Sequence, residues 1–380
     1  MKLSYLLPLL FLLACNNNQS KEPATEIATT PLWTTYAAPT EVKNKNIILV
    51  SGDEEYRSEE ALPQLAKILS QQHGFNCTVL FAQDTAKLGT IDPNYSFNIP
   101  GLEQLAEADL MILFTRFRAL PTKQMQHIEN YLTAGKPVLA IRTATHAFNF
   151  KNVTHPFAHY GWNYNGDKTD WQGGFGKKIL GETWHTHHGR HKHQSTRGII
   201  ATGAENHPLV NGIADSAIWG ATDVYGIREP VGGDAQSIIL GQTIDRKGEY
   251  NEDDLTYGMR ESDDQVATIA YPDDPKRNYN PNEKIPPIVW TKSYQVDGGE
   301  AGQSVTSTIG AATDLLDEEV RRLLINASYY LLDLDVPAQA KVDLVGDYSP
   351  TPFQFHTDKY WEEKARSVSE SDLIFDAEGR

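Results

Sequence analysis

"ADLMILFTRFRALPTKQMQHIENYLTAGKPVLAIRTATHAF", Ala108 to Phe148, decides the fold. Ala108–Thr115 is a short apolar run of strand type. Pro121–Lys136 predicts a helix, with proline in the first turn and Gly135 at its end. Pro137–Thr143 is a second apolar strand. Two near-continuous apolar strands joined by a helix describe a parallel crossover buried on both faces.

The pattern extends in both directions. Upstream lie a strand at Lys45–Gly52, a helix at Ser58–Gly74 with Leu62, Leu65, Ile68 and Leu69 as its apolar stripe, and a strand at Phe75–Ala82. Downstream strand candidates are "RGIIATG", "AQSIILGQT", "QVATIAY", "PIVWTKSY" and "SVTSTIG", and a last helix spans about 317–332. The expected class is α/β, a doubly wound and mostly parallel sheet with helices on both faces. The stretch from Phe148 to Ser195 is weakly periodic and rich in Gly and Trp; loops this long in a compact domain are functional or disordered, and Trp162, Trp171 and Trp184 argue against disorder.

The chain of 380 residues carries a formal net charge of -16, which argues against nucleic acid or an anionic membrane surface as the main partner. The apolar run Leu6–Ala14 is too short to span a bilayer and fits a signal peptide. It ends in "LLAC", which resembles a bacterial lipobox. That resemblance implies cleavage before Cys15 and its acylation; an ordinary signal peptide with a chance cysteine is the alternative. The expected organisation is a signal peptide at 1–14, a lipidated flexible tether at 15–42, one domain at 43–337 and a C-terminal tail at 338–380 that packs on the domain. The expected location is the cell envelope, outside the cytoplasm, with the lipid bilayer as partner through Cys15. Cys77, in an apolar strand, reads as a buried small hydrophobe.

Parallel sheets bind ligands beyond the carboxyl ends of their strands. Three such ends bring chemistry together: Asp53, Glu54, Glu55, Tyr56 and Arg57 after the first strand, Arg116 and Arg118 after the third, and Arg142, Thr143, Thr145 and His146 after the fourth. These groups form either a structural ion-pair network or a pocket for a ligand rich in hydroxyl or carboxylate groups, which guanidinium forks suit. "HTHHGRHKH" packs five of the chain's 12 histidines into nine residues, His185 to His193. It can be a metal site through His185, His187 and His191, a metal-free ligand-binding loop, or a solvated loop. Its spacing matches no named zinc signature, and Arg190 and Lys192 disfavour a cation. In "WGATDVYGI", Asp223 and Tyr225 alternate and would share one face of a strand.

The ordered fragments "IILVSGDEEYR", the opening 41-residue stretch, "NHPLVNGI", "WGATDVYGI", "PIVWTKSY" and "RRLLINASYYLLD" together resemble the ThuA-like family. The resemblance covers about 43–337. It implies a flavodoxin-like fold, akin to the class I glutamine amidotransferases, and a link to the use of trehalose and related sugars. Where the amidotransferases place a cysteine after the strand "PVLAI", this chain has Arg142, which is no nucleophile. Glutaminase activity is therefore not expected. The turn after the first strand lacks the glycines of a dinucleotide site.

The reading from sequence is a membrane-tethered protein using acid/base chemistry on a carbohydrate or oxidised sugar, as isomerase, lyase or hydrolase. His146, His188 and Asp223 are the proton-transfer candidates; Glu54, Arg57, Arg116, Arg142 and Tyr225 are the substrate-binding candidates. No cofactor is expected. The alternatives are a non-catalytic sugar-binding lipoprotein and a hydrolase dependent on a divalent metal.

Overall fold

The computed structural model describes residue 1, residues 30–39 and residues 43–370. The chain divides into units Met1–Thr30 and Pro31–Arg380, and the architecture below is that of the second. Most of the expected signal peptide, and Cys15, lie outside the described residues.

In chain order the unit runs β1 (Trp33–Tyr36), β2 (Asn46–Gly52), α1 (Ser58–His73), β3 (Asn76–Phe81), β4 (Leu110–Thr115), α2 (Thr122–Thr133) and β5 (Val138–Ile141). Then follow β6 (Thr186–His187), β7 (Gln194–Ile200), β8 (Trp219–Gly220), β9 (Tyr225–Gly226), β10 (Gln236–Asp245), β11 (Gln265–Val266), β12 (Pro287–Gln295), β13 (Ala301–Ser307), α3 (Glu318–Leu331) and α4 (Asp358–Lys364). The main sheet has the order β1-β3-β2-β4-β5-β13-β12-β10-β7-β8, with β11 on β10; β6 and β9 form a separate ribbon. Strands β3, β2, β4, β5 and β13 are parallel. Beyond β13 the partners are antiparallel.

Burial follows from strand alternation. In β2, Ile47 and Leu49 join the core layer under α1 and α3, while Ile48 and Val50 face the layer that includes Met125 and Ile128 of α2. In β4, Leu110, Ile112 and Phe114 go to the first layer, Met111 and Leu113 to the second. A strand buried on both sides must be apolar at every position, which is why these runs were legible. Gly135 ends α2 at φ 64, where a Cβ would lie 2.5 Å from the Ala301 carbonyl oxygen at the start of β13. Among the described residues, no helix is long and apolar enough to cross a membrane.

Three sequence expectations need amendment. Trp33–Tyr36, assigned to the tether, is an edge strand antiparallel to β3. "QVATIAY" contributes only the two-residue β11. The Phe148–Ser195 stretch contains short helical turns anchored by Tyr160, Trp171 and Phe175, all buried. The segment after residue 337 buries Ala340, Val342, Tyr348 and Phe353.

Candidate functional site

Strand β2 lies where the order reverses, with β3 on one side and β4 on the other. The loops after β2, β4 and β5 therefore meet at the carboxyl edge of the sheet. Asp53 organises the first loop. One carboxylate oxygen accepts the backbone N–H groups of Glu55 (2.7 Å) and Tyr56, and the other accepts the Thr143 hydroxyl from the loop after β5. This carboxylate is fully occupied in holding two loops together.

Glu54 and Glu55 point to different partners. Glu54 is gripped by Arg116 and by Arg118, whose Nη2 donates at 2.6 Å. Arg118 is 1% exposed and also donates to the carbonyls of Pro93 and Tyr95. This pair realises the structural ion-pair network read from the sequence. Glu55 lies 3.5 Å from Arg116 Nε and 3.6 Å from His191 Nε2. Burial raises its carboxyl above the usual range, against the pull of Arg116.

The centre of the site is Asp223, which is fully buried. The ribbon pairs His187 with Tyr225 and places Asp223 just before it. His187 Nδ1 donates to Asp223 Oδ2 and His191 Nδ1 donates to Oδ1, both at 2.9 Å. An ionised carboxylate only accepts, so each imidazole presents its proton on Nδ1 and leaves Nε2 as the other site. Burial alone would push the Asp223 carboxyl up; His187 and His191 outweigh it and hold it well below the usual carboxylate range. Burial likewise opposes the charge on His187, and the Asp223 carboxylate outweighs it, raising the imidazole above its ordinary value. Both rings remain partly open to solvent, with side-chain exposures of 29% and 25%.

Arg142 follows β5 at φ 49, a left-handed conformation that non-glycine residues rarely adopt. Its guanidinium is sandwiched 4.3 Å from the Tyr56 ring and 4.4 Å from the Tyr225 ring. It donates to the carbonyls of Thr308 and Asp223, and Nη2 lies 3.7 Å from Asp223 Oδ1. With 1% exposure it has no surface for a ligand. The binding role read from sequence is therefore corrected to a positioning role: Arg142 fixes Asp223 from behind. Tyr225 is also buried and forms wall rather than surface.

The other expected residues separate. His146 is buried among Phe117 (4.8 Å), Trp184 (5.3 Å) and Tyr225 (6.0 Å), with Nδ1 at 3.2 Å from the Thr145 hydroxyl. Burial, helped by Arg116, pushes it well below its ordinary value, so it is neutral. His188 points away from Asp223 and donates from Nε2 to the Pro281 carbonyl at 2.6 Å. His185 is exposed and His193 stacks on Tyr250 at 4.9 Å. Arg57, expected to bind substrate, is wholly buried and donates to the carbonyls of Glu54 and Gln354. Arg116 alone among the expected arginines reaches the partly open side, at 19% side-chain exposure.

Sequence reasoning missed His187 and His191 as partners of Asp223, Glu55 beside them, and Phe353 from the tail. Phe353 is buried with its ring 5.6 Å from Tyr56 and 5.3 Å from His191. His187, His191 and Asp223 do offer ligand atoms within 4.8 Å of one another, and they are the residues that could hold a metal. Two features fit a cation poorly. Both carboxylate oxygens already accept imidazole protons, and the Arg142 guanidinium stands behind the same carboxylate. His185 belongs to no such group among the described residues.

No protein-family model and no curated protein matches the chain. Among solved structures it is similar to a protein described as ThuA-like from Bacteroides uniformis, at 15% identity and a TM-score of 0.44, covering 78% of this chain and 94% of that one. It is also similar to a protein described as ThuA-like from Parabacteroides merdae, at 13% identity and a TM-score of 0.42, covering 82% and 97%.

Proposed function

We propose that this chain is an envelope lipoprotein that performs acid/base chemistry on a carbohydrate or an oxidised sugar. The observation that carries the reading is the buried Asp223 carboxylate holding two partly exposed imidazoles, one on each oxygen. A carboxylate so placed fixes the tautomer and orientation of each ring, as the acid of a catalytic triad does for its histidine. Two oriented imidazoles give one group to take a proton and one to deliver it.

The surroundings support a sugar. Arg116 brings positive charge to the opening, with Nη1 held by Glu54 and Nη2 bonded to no other group among the described residues. Trp184 and Phe117 line the same side, with Trp162 at 5.6 Å from Phe117 and 5.8 Å from Trp184. Aromatic faces pack on sugar C–H groups, and the guanidinium suits vicinal oxygens or a carboxylate. Glutaminase chemistry has no support, because Arg142 occupies the strand-to-helix elbow and the adjacent Thr143 hydroxyl is committed to Asp53.

The test is a purified domain offered a panel of aldoses, uronates and keto-sugars in D2O, followed by NMR. Turnover, or deuterium uptake beside a carbonyl, is expected for at least one oxidised sugar. Binding of sugars with neither would contradict catalysis and establish the non-catalytic binding protein instead.

A further inference from the structure

Phe117 holds φ 50, a conformation that is an outlier for a bulky residue. Strain of this kind persists where surrounding structure enforces it, often beside ligand sites. Its ring packs on His146, under the Arg116 guanidinium at 4.6 Å. The same residue lines a cavity of 430 Å³ with Phe97, Asn149 and Phe150. A second hollow of 700 Å³ shares Asn149 and Phe150 and continues to Tyr164 and Asn165. Both volumes lie in the range of about 300–1,000 Å³ found for small-molecule pockets.

The two hollows share Asn149, Phe150 and Lys151, and Phe117 connects the first of them to His146 and Arg116 beside the candidate site. The chemistry of this groove is specific. Phe117, Phe150 and Tyr164 supply aromatic surface at intervals. Asparagine amides each offer two donors and an acceptor, which match hydroxyl groups. The side-chain amides of Asn149, Asn163 and Asn165 are bonded to no other group among the described residues. The lining charges are one lysine, Lys151, and one acid, Asp167, so no net charge selects an ion.

We propose that this groove binds a neutral oligosaccharide chain, with one ring at the His187–Asp223–His191 site and later rings along Phe117, Phe150 and Tyr164. The inference rests on the carbohydrate reading above and narrows it to substrates longer than one sugar. Phe97, at 57% exposure, is the apolar rim that a bound chain would cover.

The experiment is a microarray of neutral glycans of defined length, one to six units, followed by calorimetry on the best series. Affinity should rise at least tenfold from one unit to four. Phe97→Ala, and separately Asn163→Ala with Asn165→Ala, should remove most of that rise and change monosaccharide affinity less than twofold. These positions are exposed, and thermal melts confirm folding. Length-independent affinity, or a rise that survives both variants, overturns the groove and leaves the sugar reading standing. Binding of no neutral saccharide at any length also overturns the groove, while the oxidised-sugar reading is decided separately by turnover in D2O.

Discussion

Asp223 is the residue on which the site turns, and its pH behaviour can be worked out. His187 has a raised value in the folded state, so its stabilisation is fully present below the unfolded value of about 6.5 and is lost as pH rises through the folded one. Asp223 has a depressed value, so its stabilisation is present above about 3.9 and is lost as pH falls through the folded one. Both contributions coexist between those limits. Asp223→Asn should therefore destabilise the protein most between about pH 4 and 6.5, and less above that window as His187 loses its proton. Urea unfolding of both proteins across pH checks this, and a pH-independent difference would contradict it. Arg142→Ala should cost about 3–5 kcal/mol, because it leaves the buried Asp223 without its guanidinium. A loss within about 0.5 kcal/mol, the usual size for surface substitutions, would show that Arg142 is not the support described.

The residue scale also explains what the sequence concealed. The histidine run and the Asp223–Tyr225 alternation were legible. Which histidines meet Asp223 was not, since moving one position along a strand reverses the face. His187 lies opposite Tyr225 in the ribbon, and His188, one residue on, turns toward Pro281. No local pattern specifies that parity, because β6 and β9 are two residues each.

At the scale of elements, the tail behaves as part of the site. Thr351 donates to Glu60, Gln354 accepts from Arg57, and Arg116 lies 4.8 Å over the Phe355 ring. Arg366 also pairs with Glu60 at 3.0 Å. Arg57 and Glu60 are both buried; without the tail Glu60 loses Thr351 and Arg366, and Arg57 keeps only Glu59 and the Glu54 carbonyl. Ending the chain after Pro350 should lower the melting temperature by about 5 °C or more, since each kcal/mol lost shifts the melt of a domain this size by a few degrees. An unchanged melt would show that the tail is dispensable. This coupling was invisible in sequence, as it joins positions nearly 300 apart. By contrast, α3 was legible to within a residue, because Asp317 caps it by accepting the Val320 N–H.

At the scale of the whole molecule, the parallel core from β3 to β13 was readable because doubly buried strands are apolar throughout. The antiparallel extension was readable as strands but not as pairings, which depend on long-range register. β1 was hidden by its surroundings, since "TTPLWTTYAAPT" has the composition of a tether. The membrane attachment proposed for Cys15 belongs to this scale too. Metabolic labelling with a fatty-acid analogue should mark the wild-type chain and not Cys15→Ala; equal labelling would contradict lipidation there. The account as a whole rests on His187 and His191 as the proton-carrying pair. Its most direct measurement is turnover, or deuterium uptake into the responsive sugar, for His187→Ala, His191→Ala and His188→Ala side by side. The account predicts a loss of about a hundredfold or more in the first two and under twofold in the third. Wild-type rates in His187→Ala and His191→Ala, or a collapse confined to His188→Ala, would contradict it.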